Sequence, residues 1–407
     1  LLLAIMLLVP LGGCQESASP EACAKSVCGP GTGVTEVGSL GRYTDLAIHA
    51  DGRVVVATYD STHGNLVARV GLPGEEPTTH LIAGWSVGEE GTVARDSGRW
   101  ASVASDLQGV SHFAWYEADL GALGYGILTP TGASASEIVD GEAEGDRGTH
   151  TSIAIDSDGR VMIAYRDEGA RSLRVATREA GASTFEIASI DGCAGEADCP
   201  SGAENYGEYA SLVFVASQPR IVFYDRARGD LKIALLEAEG WHVVTLDGRN
   251  TETDQDTGDT GRFATAALDA KQQLGVAYFD ASGGALRYLS TGSTSPHPII
   301  VDRGTYTDEL GATRSHVVGQ HVALAYDAQG VASMVYLDAG LLALRHVRVH
   351  GETPTASEVL TALPPGAYLD LERDPLGGLH LAYGAWGLED GGSTTLQTAT
   401  LSWGLDP

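Results

Sequence analysis

Residues Gly41 to Ser61 read GRYTDLAIHADGRVVVATYDS. An apolar strand pattern runs up to His49. The stretch Ala50-Asp51-Gly52-Arg53 then supplies a tight turn, with Gly where the backbone must take a positive φ. A second apolar run ends in Tyr59-Asp60. Alone, this is a β-hairpin. Its meaning comes from the rest of the chain, which writes the same unit again and again.

Gly, any residue, then an aromatic or His recurs seven times, at Tyr43, Trp100, His150, Tyr209, Phe263, His321 and Tyr368. Each copy leads into an apolar strand and, in most copies, a turn such as SDGR, DLQG, DAQG or DPLGG. A second strand follows and usually ends in an aromatic and an acid: VVVATYD, HFAWYE, VMIAYRD, RIVFYD, LGVAYFD and SMVYLD, with LHLAYGA as a degraded seventh. A third strand follows in every copy and a fourth in all but the last. Four-stranded antiparallel units repeating every 40 to 60 residues are the signature of a β-propeller. Apolar residues fill consecutive strand positions, as expected of sheets buried on both faces. The reading is therefore an all-β, seven-bladed β-propeller over residues 33–407. The segment Val34 to Gly41 matches the missing fourth strand and is expected to complete blade 7 and close the ring, covering an edge that would otherwise template aggregation. The acids Asp60, Asp167, Asp225, Asp280 and Asp338 are expected to cap the turns that follow them.

The chain opens LLLAIMLLVPLGGCQESASP. The apolar run is too short for a membrane-spanning helix and reads as an export signal, residues 1–13, lacking its start. Leu11-Gly12-Gly13-Cys14 resembles the lipobox of bacterial lipoproteins. That resemblance implies acylation of Cys14, cleavage before it, and anchoring by several acyl chains. Gln15 after the Cys, in place of Asp, implies the outer membrane. Residues 14–32 read as a lipidated flexible linker with a local disulfide. Cys23, Cys28, Cys193 and Cys199 form two local pairs, and in an exported protein an even set implies disulfides. Cys23–Cys28 with Cys193–Cys199 is the preferred pairing of the three possible.

The net charge of −29 argues against a nucleic-acid partner. Five links between blades are long: 84–98, 140–148, 191–207, 247–261 and 302–319. Together they hold nineteen Asp/Glu against five Arg, so one face of the ring is expected to be acidic and loop-rich. Such loops carry binding sites on rigid scaffolds, and they also simply keep proteins soluble. Asp254, Asp256 and Asp259 have carboxylates to offer Ca²⁺. Gly258 stands where a further ligand belongs, so a solvated acidic loop is the weightier reading. No other cofactor is expected.

The seven repeated aromatic and His residues should ring the channel mouth, where they can stack on sugars. Packing between blades is the weightier role, since every blade shares that need. Arg42, Arg99 and Arg262 precede three of them, and three converging arginines would hold a carboxylate. Sialidase-type propellers use such a trio, but this chain lacks their repeated Ser-x-Asp-x-Gly-x-Thr-Trp turn. No catalytic motif stands out. The first reading is a monomeric, lipid-anchored binding or scaffold module for a glycan or protein. The alternative is a polysaccharide-active lyase or hydrolase with its site at the channel mouth. An enzyme needs unlike groups converging on one point, so departures from the repeat at the mouth separate the two readings. His150 and His321 are the departures visible in the sequence.

Overall fold

The computed structural model describes residues 37–401 apart from 89–90, 133, 142–144, 191–204, 251, 293–296 and 388–392. Cys14, the other four cysteines and residues 34–36 of the expected closing strand lie outside the described residues. Among those described there is no helix. Blades 1 to 6 each hold an antiparallel sheet whose strands neighbour one another in chain order. The fourth strand of blade 6 is split into Thr353–Pro354 and Glu358–Val359, both paired with Ala343–His350. Blade 7 has the three strands Gly366–Arg373, Leu379–Trp386 and Thr394–Leu401.

Seven inner strands stand side by side around one axis: Arg42–Ile48, Ser97–Ser105, Arg147–Ile155, Glu208–Val215, Thr260–Leu268, Val318–Tyr326 and Gly366–Arg373. The last meets the first, where the Leu46 N–H donates to Asp370 at 2.8 Å. The protein is thus a closed seven-bladed β-propeller.

The consecutive apolar pattern has a direct cause. Successive strand residues face opposite sides of a sheet, and here both sides are seams between blades. In Leu274–Asp280, Val276 and Tyr278 enter the core between blades 4 and 5, while Ala277 enters the one between blades 5 and 6. Fourth strands contribute apolar residues to these cores, such as Ile82, Val139, Ile190, Val244, Val301 and Leu360. The seam between blades 7 and 1 is thinner. Its buried core is Leu46, Val56 and Ala382, and a cavity of about 540 Å³ opens beside it. Ser39 reaches that seam: its hydroxyl donates to the Thr394 carbonyl at 2.7 Å and accepts the Thr394 N–H at 3.2 Å. Ser39 thus lies against the outermost strand of blade 7, although residues 37–41 form no strand with it.

The acids ending the second strands cap the following turns as expected. Asp60 accepts N–H groups from Thr62 and His63, Asp167 from Ala170, Asp225 from Ala227, Asp280 from Gly283, and Asp338 from Gly340 and Leu341. They also do more. Arg287, from the third strand of blade 5, donates to Asp280 at 2.7 Å and to Asp247 of blade 4 at 2.9 Å, while the Tyr278 hydroxyl donates to Asp247 at 2.7 Å. The same Tyr–Asp–Arg–Asp network joins Tyr165, Asp140, Arg174 and Asp167, and again Tyr336, Asp302, Arg345 and Asp338. Asp140, Asp247 and Asp302 belong to the links expected to form an acidic face. Their charges are instead neutralised inside the seams.

Candidate functional site

In each blade the Gly-x-aromatic motif forms a bulge at the start of the inner strand, where the register with the second strand shifts. The glycine lets the chain pass against the preceding blade. At Gly98, φ is 114° and an added Cβ would lie 2.8 Å from the Cβ of Leu66. The aromatic then takes a left-handed backbone in all seven copies, with φ between 48° and 55°. That conformation is strained for a bulky residue. It is held because the rings close on one another.

The ring centroids lie 4.9 Å apart from Tyr43 to Trp100, then 5.5 Å to His150, 5.2 Å to Tyr209, 4.8 Å to Phe263, 4.4 Å to His321, 5.5 Å to Tyr368 and 5.0 Å back to Tyr43. Neighbouring planes meet at 39° to 66°. These values scatter about the ~51° of one seventh of a turn, the angle reached when every ring stands with its plane along the channel axis. Packing and lining therefore coincide. Each ring is braced by both neighbours and remains part-exposed to the channel.

His150 and His321 fit this tier as neutral rings. Burial lowers both pKa values to about 4, in His150 with help from Arg166. The His150 Nδ1 accepts the Tyr209 N–H at 3.1 Å and the His321 Nδ1 accepts the Tyr368 N–H at 3.4 Å. Their Nε2 atoms therefore carry the proton.

Two further tiers lie beneath. Two residues along each inner strand come Asp45, Ser102, Ser152, Ser211, Thr265, Ala323 and Asp370. Several of these side chains accept the backbone N–H of the next blade: Asp45 from Val103 at 2.7 Å, Ser102 from Ile153 at 3.1 Å, Ser152 from Leu212 at 3.0 Å, Ser211 from Ala266 at 3.0 Å. Two residues further come Ala47, Ala104, Ala154, Val213, Ala267, Ala325 and Glu372. Hydroxyls dominate the first tier and alanines the second. Asp45, Asp370 and Glu372 break the pattern, and all three belong to blades 7 and 1.

Asp45 and Asp370 hydrogen-bond to each other. Burial raises both pKa values, and the neighbouring Asp370 raises Asp45 further. Glu372 is exposed, so solvent screens the upward shift that burial and then the Asp370 charge give its carboxyl. No arginine or lysine forms a salt bridge with these three groups among the described residues, whereas the seam aspartates each have one. The channel carrying all three tiers has a volume of about 510 Å³, within the usual range of small-molecule sites.

The acid pair makes stability depend on pH. Its folded-state pKa values are raised, so its contribution is complete below the ordinary carboxylate range and is lost as pH rises through the raised values. Asp45→Asn keeps an oxygen for the Val103 N–H and offers Asp370 an amide donor. It should raise the melting midpoint at pH 8 and change it little at pH 4. An equal shift at both pH values would contradict the shared proton.

One expectation is corrected. The arginines do not converge. Arg99 donates to Asp96 and lies 5.9 Å over Tyr59 of blade 1, and Arg262 donates to Asp259 at 2.6 Å and lies 5.6 Å over Tyr224 of blade 4. Each clamps one blade to the next, while Arg42 is exposed. The three carboxylates weighed for Ca²⁺ each have their own partner. Asp254 meets Arg249, Asp256 caps Gly258, and Asp259 receives Tyr224 and Arg262. No group of three potential metal ligands occurs among the described residues. The acids at 45, 370 and 372 were missed because each looks ordinary within its own strand. Aligning the seven inner strands on their aromatic residue exposes them.

A seven-bladed propeller with an aromatic-rimmed channel and a carboxyl sector in its wall is the class that fold and site define. No protein-family model matches the chain, and no curated protein matches it in sequence. Among solved structures, it resembles a protein of unknown function from Dyadobacter fermentans at 10% identity, over 90% of this chain and 96% of that one, with a TM-score of 0.48. It resembles the NanB sialidase of Streptococcus pneumoniae at 12% identity, over 91% and 69%, with a TM-score of 0.46. An α-L-arabinofuranosidase from Fusarium graminearum gives 12% identity, over 74% and 92%, with a TM-score of 0.45. At these distances the likeness is one of fold alone and assigns no residue of the channel.

Proposed function

We propose that this propeller acts on a glycan at the aromatic-rimmed end of its channel, as a polysaccharide-active enzyme of the hydrolase type. The observation that carries this reading is the break in seven-fold repetition at Asp45, Asp370 and Glu372. A passive scaffold needs only the serines and alanines that the other blades place there. Carboxyl groups under an aromatic tier are the residue type that acid-assisted cleavage of a glycosidic bond uses, one as the acid and one as its partner. The upward direction of the Glu372 pKa favours the protonated state that a general acid needs. The aromatic faces would stack on sugar rings, and the Nε2–H groups of His150 and His321 would donate to hydroxyls.

The test is a panel of plant, fungal and bacterial polysaccharides, scored both for binding and for release of reducing ends. Release from at least one polymer supports the enzyme. Binding without release favours the second reading, a non-catalytic glycan receptor, for which the aromatic tier alone suffices. Binding to none removes both. The resemblance at Cys14 supports placing the protein at the cell envelope on a lipid anchor. Cys14→Ser should then move it from the membrane to the soluble fraction, and persistence with membranes after a carbonate wash would refute the anchor.

A further inference from the structure

The aromatic tier also limits how a ligand reaches the carboxyl sector. Every ring centroid lies 4.4 to 5.5 Å from both neighbours, so the tier has no gap between blades through which a chain could enter sideways. Centroids at these spacings lie on a circle about 12 Å across. Taking about 1.8 Å of van der Waals half-thickness from each wall leaves a bore of about 8 Å at most. That is roughly the girth of one sugar ring travelling end-on. Asp45 and Asp370 lie two residues, and Glu372 four residues, beyond the tier along their strands. At about 3.3 Å per residue they are at most about 7 and 13 Å deeper, since the bulge at each aromatic shortens the path. A polymer lying across the aromatic mouth cannot bring an internal bond down to Asp45 and Asp370.

We infer that the channel receives only the terminal sugar units of an unbranched glycan chain, so that the protein counts chain ends and not repeat units. This rests on the reading of the channel as the glycan site and deepens it. The ligand class is a chain end of one or two sugars whose last residue has no bulky branch. Interior segments of the polymer stay on the loop face above the rings.

The inference is tested without knowing the sugar in advance. Xylan, arabinan, polygalacturonate and chitosan are each offered intact and sheared to about one tenth of their length at equal mass. Below saturation, the response to a chain-end ligand follows the concentration of ends. Binding, and release of reducing ends if present, should rise about tenfold on shearing for the polymer that responds. Saturation should occur near one protein per chain end, and the viscosity of the intact polymer should fall slowly relative to sugar release. An unchanged response per unit mass, with rapid loss of viscosity, would overturn the inference while leaving the glycan reading in place. A response to none of the four, intact or sheared, counts against both. Binding that still follows chain ends after Trp100→Ala, Tyr43→Ala and Phe263→Ala, in variants that melt normally, would show that ends are selected elsewhere and would also overturn it.

Discussion

Arg287→Met should destabilise the protein by about 3–5 kcal/mol, the range found when one partner of a buried ion network is removed. Among the described residues Arg287 is the only counter-charge of Asp247 and Asp280, whose side chains are 11% and 3% exposed. Methionine fills much of the volume but leaves both carboxylates facing each other across the seam of blades 4 and 5. Tyr278 cannot compensate. Burial and the Asp247 charge hold its hydroxyl well above its usual pKa, so it supplies one neutral donor and no positive charge. The check is a thermal or denaturant melt of the variant beside Arg287→Met combined with Asp280→Asn. The double variant should regain part of the loss because one stranded charge is gone. A single variant that melts with the parent would show that the network adds little to blade cohesion.

Glu372→Gln should lower turnover by about 10²- to 10⁴-fold, the contribution usual for a general acid, while leaving glycan affinity close to that of the parent. The change is nearly isosteric, and the side chain contacts channel water, so folding is not expected to suffer. The parent's turnover should fall as pH rises through the raised pKa of Glu372, because the acid must hold its proton. The residual activity of the variant should lose that alkaline limb. Retained turnover with an unchanged pH profile would exclude Glu372 as the acid. Loss of binding together with turnover would make it a ligand contact and not a proton donor.

The blade count was legible because a ring makes the same demand seven times, and the demand is met by short motifs. Gly-x-aromatic marks the bulge, and the second-strand acids mark the capped turns. Both signals are local, spanning a few residues. The seam networks are not. Asp140 meets Arg174 and Asp247 meets Arg287 only because adjacent blades lie face to face. Read along the chain, those aspartates looked like solvated loop charges. The channel acids were hidden differently. An acid at position 45, 370 or 372 alternates with apolar neighbours and looks like the polar half of an ordinary strand pattern. What marks it is comparison with the same tier in six other blades. The arginine trio misled for the converse reason: three equivalent sequence positions suggested one shared site, whereas equivalent positions in a ring point to separate places.

The left-handed aromatic positions have a consequence for the ring as a numbered object. Each is strained by about 1 kcal/mol or more, and is offset by contacts with the rings of the blades before and after it. Those contacts require the step from one blade to the next to be close to one seventh of a turn. Losing or duplicating a blade would change the angle and spacing at every position, not only at the junction. The side chains at the mouth therefore meter the circumference. The gene can vary its loops freely, but copying one repeat more or fewer would leave strained aromatics around the whole rim without matched neighbours.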